Sequence, residues 1–199
     1  MPRNPTVNRK MAMLMRWLHI YLSMISFAIV FFFAVTGLTL NHADKFVKNH
    51  ATTEKGKMNA AWTNSPDTSR IDKLHIVEYL RETHHIRATV GDLWIDENEI
   101  RVPFRGPAFA ADAVINRDKG TYELTSTSAG FVGFINALHQ GRDTSAVWSV
   151  VIDVAAILLT LVSLTGMVLL LYLKKKRLSG LLVAAMGLLL AYLMYKLFI

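Results

Sequence analysis

The chain has 199 residues, 52% of them hydrophobic, with a net charge of +7 and no cysteine. The lack of cysteine excludes disulfides, thiolate metal sites, iron–sulfur clusters and c-type haem attachment. Much of the excess positive charge lies in residues 3–16 and 174–177, beside long apolar segments. Basic residues placed in this way are typical of the cytoplasmic flanks of transmembrane helices, and nucleic acid is not expected as a partner.

The first apolar segment, residues 18–40, is long enough to cross a bilayer, because about 20 apolar residues in a helix span the hydrocarbon core. Residues 1–17 carry four basic side chains and are predicted to stay in the cytoplasm. The apolar run exceeds the core of a cleavable signal peptide, and no small-residue cleavage site follows it. We expect a retained transmembrane helix.

The following segment, residues 41–146, is richer in polar residues and is predicted to lie outside the cytoplasm. Residues Thr52–Ser69 are interpreted as a polar connector, and Ser69–His84 has the apolar spacing of an amphipathic helix. Alternating segments separated by turn residues then predict three or four antiparallel strands, at Ala88–Asp96, Glu99–Gly106, Ala110–Asp118 and Gly120–Thr127. A helix on such a sheet makes a small α+β domain of about residues 69–127.

Two more apolar segments, residues 147–173 and 178–199, are predicted to cross the membrane. The basic turn between them, residues 174–177, is predicted to be cytoplasmic, which leaves the carboxyl terminus outside. The predicted fold class is a membrane α-helical protein with three transmembrane helices and a small extracytoplasmic α+β domain.

Three histidines lie at the ends of the apolar segments: His19, His42 and His139. His19 and His42 are about 35 Å apart along one helix and therefore lie near opposite membrane faces. His139 precedes the second span, so it would converge with His42 if the first two helices are neighbours. Two facing imidazoles can hold a b-type haem between helices. For each histidine, an interfacial polar residue or a helix cap stays open as the alternative.

The second ligand opposite His19 would be Met15, Met167, or His19 of a second copy. Glycines at positions 37 and 133 are expected to leave room for a flat macrocycle. The remaining histidines are interpreted as helix caps (His84 and His85) or as surface or core residues (His50 and His75).

The hydroxyl-rich stretch Thr125–Gly130 is a weak candidate for covalent flavin attachment through threonine, and a strand-to-helix linker is the favoured interpretation. No nucleophile elbow, phosphate-binding glycine loop or HExxH zinc motif occurs in the sequence. Membership of an enzyme class is left open.

Four sequence elements carry a resemblance: RWLHIYLSM and AVTGLTLNH in the first span, LHQGR before the second, and LVSLTGMVLLLYLKKKR at its end. They resemble the PepSY-associated transmembrane helix family of bacterial inner-membrane proteins, and the outer segment is similar to a PepSY domain. The resemblance covers nearly the whole chain. It implies an inner-membrane location, with residues 41–146 and the carboxyl terminus in the periplasm and His19, His42 and His139 as haem ligands.

Some members of that family are related to siderophore-iron reductases. The resemblance therefore implies a b-type haem electron-transfer protein, or oxidoreductase subunit, that passes electrons to a periplasmic acceptor such as a ferric siderophore. Its expected partners are membrane lipid and either a second copy or a redox partner subunit. The alternative is a non-redox PepSY module that binds or regulates a periplasmic peptide, protease or partner protein.

Overall fold

The computed structural model describes residues 5–65, 67–173 and 175–198. Residues 1–4 of the predicted cytoplasmic terminus, Pro66, Lys174 of the predicted turn and Ile199 lie outside this range. The helices are α1 (Pro5–Asn41), α2 (Ala43–Phe46), α3 (Lys73–His84), α4 (Gly130–Gln140), α5 (Ala146–Tyr172) and α6 (Arg177–Phe198). The strands are β1 (His50–Lys57), β2 (Thr89–Val90), β3 (Trp94–Ile95), β4 (Glu99–Gly106), β5 (Phe109–Asn116) and β6 (Thr121–Ser128).

The chain forms two compact units, one made of the residues up to Phe32 together with those from Val151 onward, the other of Phe33–Val150. Helices α1, α5 and α6 are long and apolar enough to cross a membrane, with mean hydropathies of 2.2, 2.6 and 2.0. At most 6% of each apolar window is buried within the described chain, so most of these side chains are left for lipid or for other chains. The protein is a membrane protein, and the prediction of three such helices is confirmed.

Helix α1 begins at Pro5, well before the predicted start of the first apolar segment. Residues 6–17 contain neither glycine nor proline, and proline is tolerated in the first helical turn because its missing N–H would be unpaired there anyway. At the other end of this unit, a Cβ added to Gly180 would lie 2.4 Å from Leu170 Cδ1. The glycine thus lets the start of α6 approach the end of α5 closely.

The second unit contains a six-stranded antiparallel sheet in the order β1-β6-β5-β4-β2, with β3 also paired to β4. Alternate residues of β4 and β5 point into one core, so that Val102, Phe104 and Ala113 are fully buried. Helix α3 contributes Ile76 and Leu80 to the same core. The predicted small α+β domain is confirmed. Every second residue along β4 and β5 is buried, and these side chains pack against the apolar face of helix α3.

Two local predictions were wrong. The segment interpreted as a polar connector includes β1, which pairs with β6 from His50↔Ser128 to Lys57↔Thr121. β1 is an edge strand with almost no apolar side chains, so its pairing leaves no hydrophobic pattern in the sequence. The single strand predicted at Ala88–Asp96 is divided into β2 and β3, because the chain leaves the ladder between Val90 and Trp94.

The buried face of the sheet gives a stability prediction. Phe104→Ala should lower the free energy of unfolding by about 3–5 kcal/mol, because it removes a fully buried aromatic side chain and leaves a cavity. Val114→Ala is the control: Val114 is 39% exposed, so we expect a loss of under ~1 kcal/mol. The measurement is urea unfolding of the full chain in detergent micelles, followed by the fluorescence of Trp62, which packs against this core. Equal losses in the two variants would contradict the assigned core.

Candidate functional site

His19, on α1, is held by helix α5. Its Nδ1 lies 3.2 Å from the Val162 carbonyl oxygen and 3.1 Å from Thr165 Oγ1. The Thr165 hydroxyl is within donor distance of two carbonyls of its own helix, Leu161 O at 2.8 Å and Val162 O at 3.0 Å. A carbonyl oxygen only accepts, so the contact with Val162 O is a hydrogen bond in the tautomer in which Nδ1 carries the proton and donates it. Nε2 of His19 is then left with its lone pair, which is the state that a metal-binding imidazole needs.

His139 belongs to α4, a separate helix before α5 that the sequence did not predict. Its Nδ1 lies 2.6 Å from Thr36 Oγ1 on α1, and its ring packs edge-on against Phe33 with 4.9 Å between ring centroids. Thr36 is 1% exposed, so this hydrogen bond is shielded from water. Nδ1 of His139 is thereby engaged and the orientation of the imidazole is set.

The two histidine sites share one construction: a threonine followed by a glycine on the facing helix. A Cβ added to Gly166 would lie 3.0 Å from His19 Cε1, and one added to Gly37 would lie 3.7 Å from His139 Cε1. The threonine holds Nδ1 while the glycine lets the imidazole ring approach the helix. The repeated Thr-Gly dipeptide is the sequence signal that could have identified both partners. Gly133 lies against Ala129, the N-cap residue of α4, and its role in making room for a macrocycle stays a prediction.

The other predicted ligands are placed less tightly. His42 follows the last residue of α1 and is half-buried at the start of α2, where its side chain makes no capping hydrogen bond. The contacts of His139 named above do not include His42, and their pairing stays a prediction. Met15 is half-buried on α1, and Met167 is 45% exposed on α5. Their role opposite His19 also stays a prediction.

Within residues 5–65, 67–173 and 175–198, no group of three or more histidine, aspartate or glutamate side chains could hold a metal ion. A haem iron makes a different demand, because the porphyrin supplies four nitrogens and the protein only the axial ligands. His19 and His139 each have Nδ1 in a hydrogen bond with a threonine, which leaves Nε2 of each imidazole as the atom suited to bind a haem iron as an axial ligand.

Comparison with known proteins gives one family. A family model described as PepSY_TM-like matches residues 13–199, from α1 through the sheet domain to the end of α6. The chain belongs to the PepSY_TM-like family. Neither the curated proteins nor the solved structures contain a match to it.

In the α+β domain of this PepSY_TM-like protein, His84 forms a link that the sequence analysis missed. Its Nδ1 lies 2.9 Å from Glu54 Oε2 on β1, and its Nε2 lies 2.8 Å from the Tyr122 hydroxyl on β6. The His84 side chain is only 10% exposed. Predicted as a helix cap, His84 instead joins the end of α3 to two strands, while the adjacent His85 occupies the C-cap with a left-handed φ of 54°. This link could not be predicted from the sequence, because Glu54 lies on β1, the edge strand that the hydrophobic pattern does not reveal.

The remaining sequence candidates are placed as follows. His75 bonds the Asp72 carboxylate at 2.6 Å and stacks on Trp62, and His50 is an exposed residue at the start of β1. Hydrogen bonds from the backbone and side chain of His75 lower the pKa of Asp72. Residues 125–128 form the end of β6, Ala129 is the N-cap of α4 and Gly130 is its first residue. The predicted strand-to-helix linker is therefore reduced to Ala129, and the rest of the stretch is strand and helix.

The Tyr122 site gives a prediction at alkaline pH. The pKa of Tyr122 is raised from 10.0 to about 12, mainly by burial of the phenol and secondly by the neighbouring Tyr79. Because the folded state holds this proton more tightly than the unfolded state, the stabilisation is complete below pH 10 and is lost as the pH rises towards 12. Tyr122→Phe should therefore flatten the dependence of the free energy of unfolding on pH above pH 10.

This dependence is measured by urea unfolding of the full chain at a series of alkaline pH values. Tyr21→Phe, which changes an exposed tyrosine of α1, is the matched control and should keep the wild-type slope. An unchanged slope in Tyr122→Phe would show that the phenol does not carry the effect.

Proposed function

We propose that this PepSY_TM-like protein is a membrane-anchored b-type haem electron-transfer protein, with His19 and His139 as axial ligands. The observation that supports this most strongly is the Nδ1–threonine hydrogen bond at both histidines. A ligand histidine commonly donates its other ring nitrogen to a fixed acceptor, which orients the ring and raises its basicity. At His19 the Val162 carbonyl, which can only accept, favours the tautomer with a free Nε2 lone pair.

Each of these histidines supplies one axial bond, so each iron needs a second ligand. We assign His42 as the second ligand beside His139. For His19 we assign the same residue of a second copy, which makes the protein a homodimer, with Met15 and Met167 as the alternatives within one chain. A haem bound at these positions would supply one-electron transfer. The threonines and glycines would hold the imidazoles in place, and the apolar helices would exclude water.

The basic flanks of α1 and the segment 174–177 favour a bacterial inner-membrane orientation with the amino terminus in the cytoplasm. In that orientation the α+β domain and the carboxyl terminus are periplasmic. By resemblance to siderophore-iron reductases, the electron acceptor would be a periplasmic ferric siderophore, reached directly or through a redox partner subunit. Flavin is a weaker proposal, since it rests on the hydroxyls of residues 125–130 alone.

One observation favours the second candidate function, a non-redox PepSY module. β1 lies at the edge of the sheet. A separate cleft of about 750 Å³ lies on a face of the sheet and is lined by residues of β1, β6, β5 and β4, including Lys55, Glu123, Val114 and Glu99. An edge strand offers backbone donors and acceptors to which an extended peptide can add as a further strand. A periplasmic peptide or protease loop would then be the partner.

The test of the haem proposal is the reduced-minus-oxidised visible spectrum of the purified full chain, expressed with haem available. We expect a b-type band in the wild type and its partial loss in His19→Ala and in His139→Ala, because each removes one axial ligand. His75→Ala, which changes an exposed histidine of the α+β domain, is the control and should leave the spectrum unchanged. Absence of the band from the wild type would refute the proposal and leave the peptide-binding module.

Variants of the threonines test the role of the Nδ1 bonds. Thr165→Val keeps the shape of the side chain but removes the hydroxyl that accepts from His19. Haem affinity should fall by about 10- to 100-fold, the usual cost of losing a hydrogen bond to a metal-ligating side chain. Thr160→Val, on the same helix but with its hydroxyl bonded only to its own helix at Ala156 O, is the matched control. Equal haem affinity in both variants would contradict a positioning role for Thr165.

A further inference from the structure

The excess positive charge of the protein lies in the first compact unit, which consists of the residues up to Phe32 and those from Val151 onward. The sequence of this unit has nine lysine and arginine residues and one acidic residue, Asp153. The other unit has one acidic residue more than it has basic residues. Eight of the nine basic residues lie in two short segments, 3–16 and 174–177, beside the apolar helices. The first unit is therefore strongly basic where these segments lie.

The two basic segments lie at the same depth along the helices. Nδ1 of His19 on α1 is 3.1 Å from Thr165 Oγ1 on α5, so these two residues mark one level. Because α1 leads into the α+β domain and α5 leads out of it, the two helices cross a membrane in opposite directions. At 1.5 Å per residue, Lys10 lies about 14 Å from the marked level and Lys175 lies at most about 15 Å from it, both towards the same end of the unit.

Six exposed basic residues at this end of the unit form what we name the basic cluster. They come from α1, from the turn after α5 and from the first position of α6: Arg9, Lys10, Arg16, Lys175, Lys176 and Arg177. Arg9 and Arg16 are spaced from His19 so that both lie on the half of α1 that faces α5. Gly180 lies against Leu170, which keeps the start of α6 beside the end of α5. The cluster is therefore assembled by packed helices from segments that are far apart in the sequence.

The basic cluster has no acidic counterpart in its own unit. Asp153 precedes Thr165 on α5 by about 18 Å, and it lies towards the opposite end of that helix. In the part of this unit that the structure describes, no carboxylate side chain is therefore close to the cluster. Like charges gathered in one place repel each other, so an anion from outside the unit would relieve this repulsion.

The position of the basic cluster indicates a lipid head group as this anion. Trp17 directly follows Arg16, and its ring centroid is 4.9 Å from that of Tyr21. Both aromatic side chains are 56% exposed, as expected of residues at the boundary between the hydrocarbon core and the head groups. From Arg16 the cluster extends about 10 Å along α1 to Arg9, which covers the head-group layer. Lysine and arginine clusters placed just beyond a transmembrane helix attract anionic lipids.

We propose that the basic cluster binds the head group of an anionic phospholipid, with the chemistry of phosphatidylglycerol, in the leaflet that this end of the helices reaches. The phosphodiester oxygens would accept hydrogen bonds from the lysine and arginine side chains. The acyl chains would lie along apolar side chains that the helices expose next to the cluster, such as Leu14 and Leu171. The inference goes beyond the proposed function and requires neither bound haem nor a particular orientation of the chain.

The experiment measures which lipid the full chain immobilises in phosphatidylcholine vesicles, by electron paramagnetic resonance of a trace of spin-labelled phosphatidylglycerol or of spin-labelled phosphatidylcholine. The wild type should prefer phosphatidylglycerol by about tenfold or more, since several basic side chains act together. Two double variants, Arg9→Gln with Lys10→Gln and Lys175→Gln with Lys176→Gln, should each lower this preference by at least about fivefold, the effect of one lost charge near the surface.

Two controls separate the basic cluster from the charge of the protein as a whole. Lys196→Gln removes an exposed lysine near the opposite end of α6 and should keep the wild-type preference. Lys175→Arg with Lys176→Arg keeps both charges and should keep it as well. All of the substituted side chains are exposed, so the variants are expected to fold as the wild type does.

Equal association of the two labelled lipids with the wild type, or an unchanged preference in both double variants, would overturn the proposal. An equal loss in Lys196→Gln would also overturn it, because the preference would then come from overall charge. If inorganic phosphate releases phosphatidylglycerol from the wild type where sodium chloride of the same ionic strength does not, the cluster is a site for soluble phosphate compounds and the lipid assignment fails. None of these measurements reads a haem signal, so failure of the haem proposal leaves this result unaffected.

Discussion

The hydrogen bond between a histidine Nδ1 and a threonine hydroxyl on the facing helix is the interaction on which the arrangement of the candidate site depends. A ring nitrogen enclosed between apolar helices has little water to bond, so an unmade bond there costs the full desolvation penalty. At His19 the threonine meets this demand while bonding carbonyls of its own helix, and the adjacent glycine admits the ring. Neither residue is sufficient alone, because the hydroxyl supplies the partner and the missing Cβ supplies the space.

A glycine also makes room for a hydrogen-bonding side chain in the α+β domain. Tyr122 reaches His84 only because Gly56 on the neighbouring strand has no side chain, since a Cβ there would lie 2.4 Å from the tyrosine hydroxyl. The resulting chain of hydrogen bonds from Glu54 through His84 to Tyr122 fastens α3 to two strands by polar contacts. One and two turns earlier on the same side of the helix, the fully buried Leu80 and Ile76 supply the apolar attachment. The helix is therefore fixed in position by two kinds of contact with different dependence on pH.

Hydropathy and alternation were sufficient to predict the three apolar helices, α3 and the bounds of β4, because each of these elements repeats its pattern along a continuous stretch. β1 could not be predicted, since an edge strand with two polar faces is recognised by its pairing partner and not by its own residues. The histidines were identified as chemically capable residues from their positions near the ends of apolar segments. Their threonine partners were not identified, because Thr165 lies 146 positions from His19 and only the fold brings the two together.

Helix α4 is the element whose omission from the sequence analysis matters most for function. Asn136 and His139 are three residues apart on α4, and they bond Thr39 and Thr36, which are three residues apart on α1. Because residues at this spacing share a helix face, the two bonds specify a single antiparallel register between the helices. A shift of one turn would break both at once and separate His139 and Asn136 from these threonine hydroxyls. The register that orients His139 is thus the register that pairs Asn136 with Thr39, so any change that moves α4 along α1 must alter both contacts together.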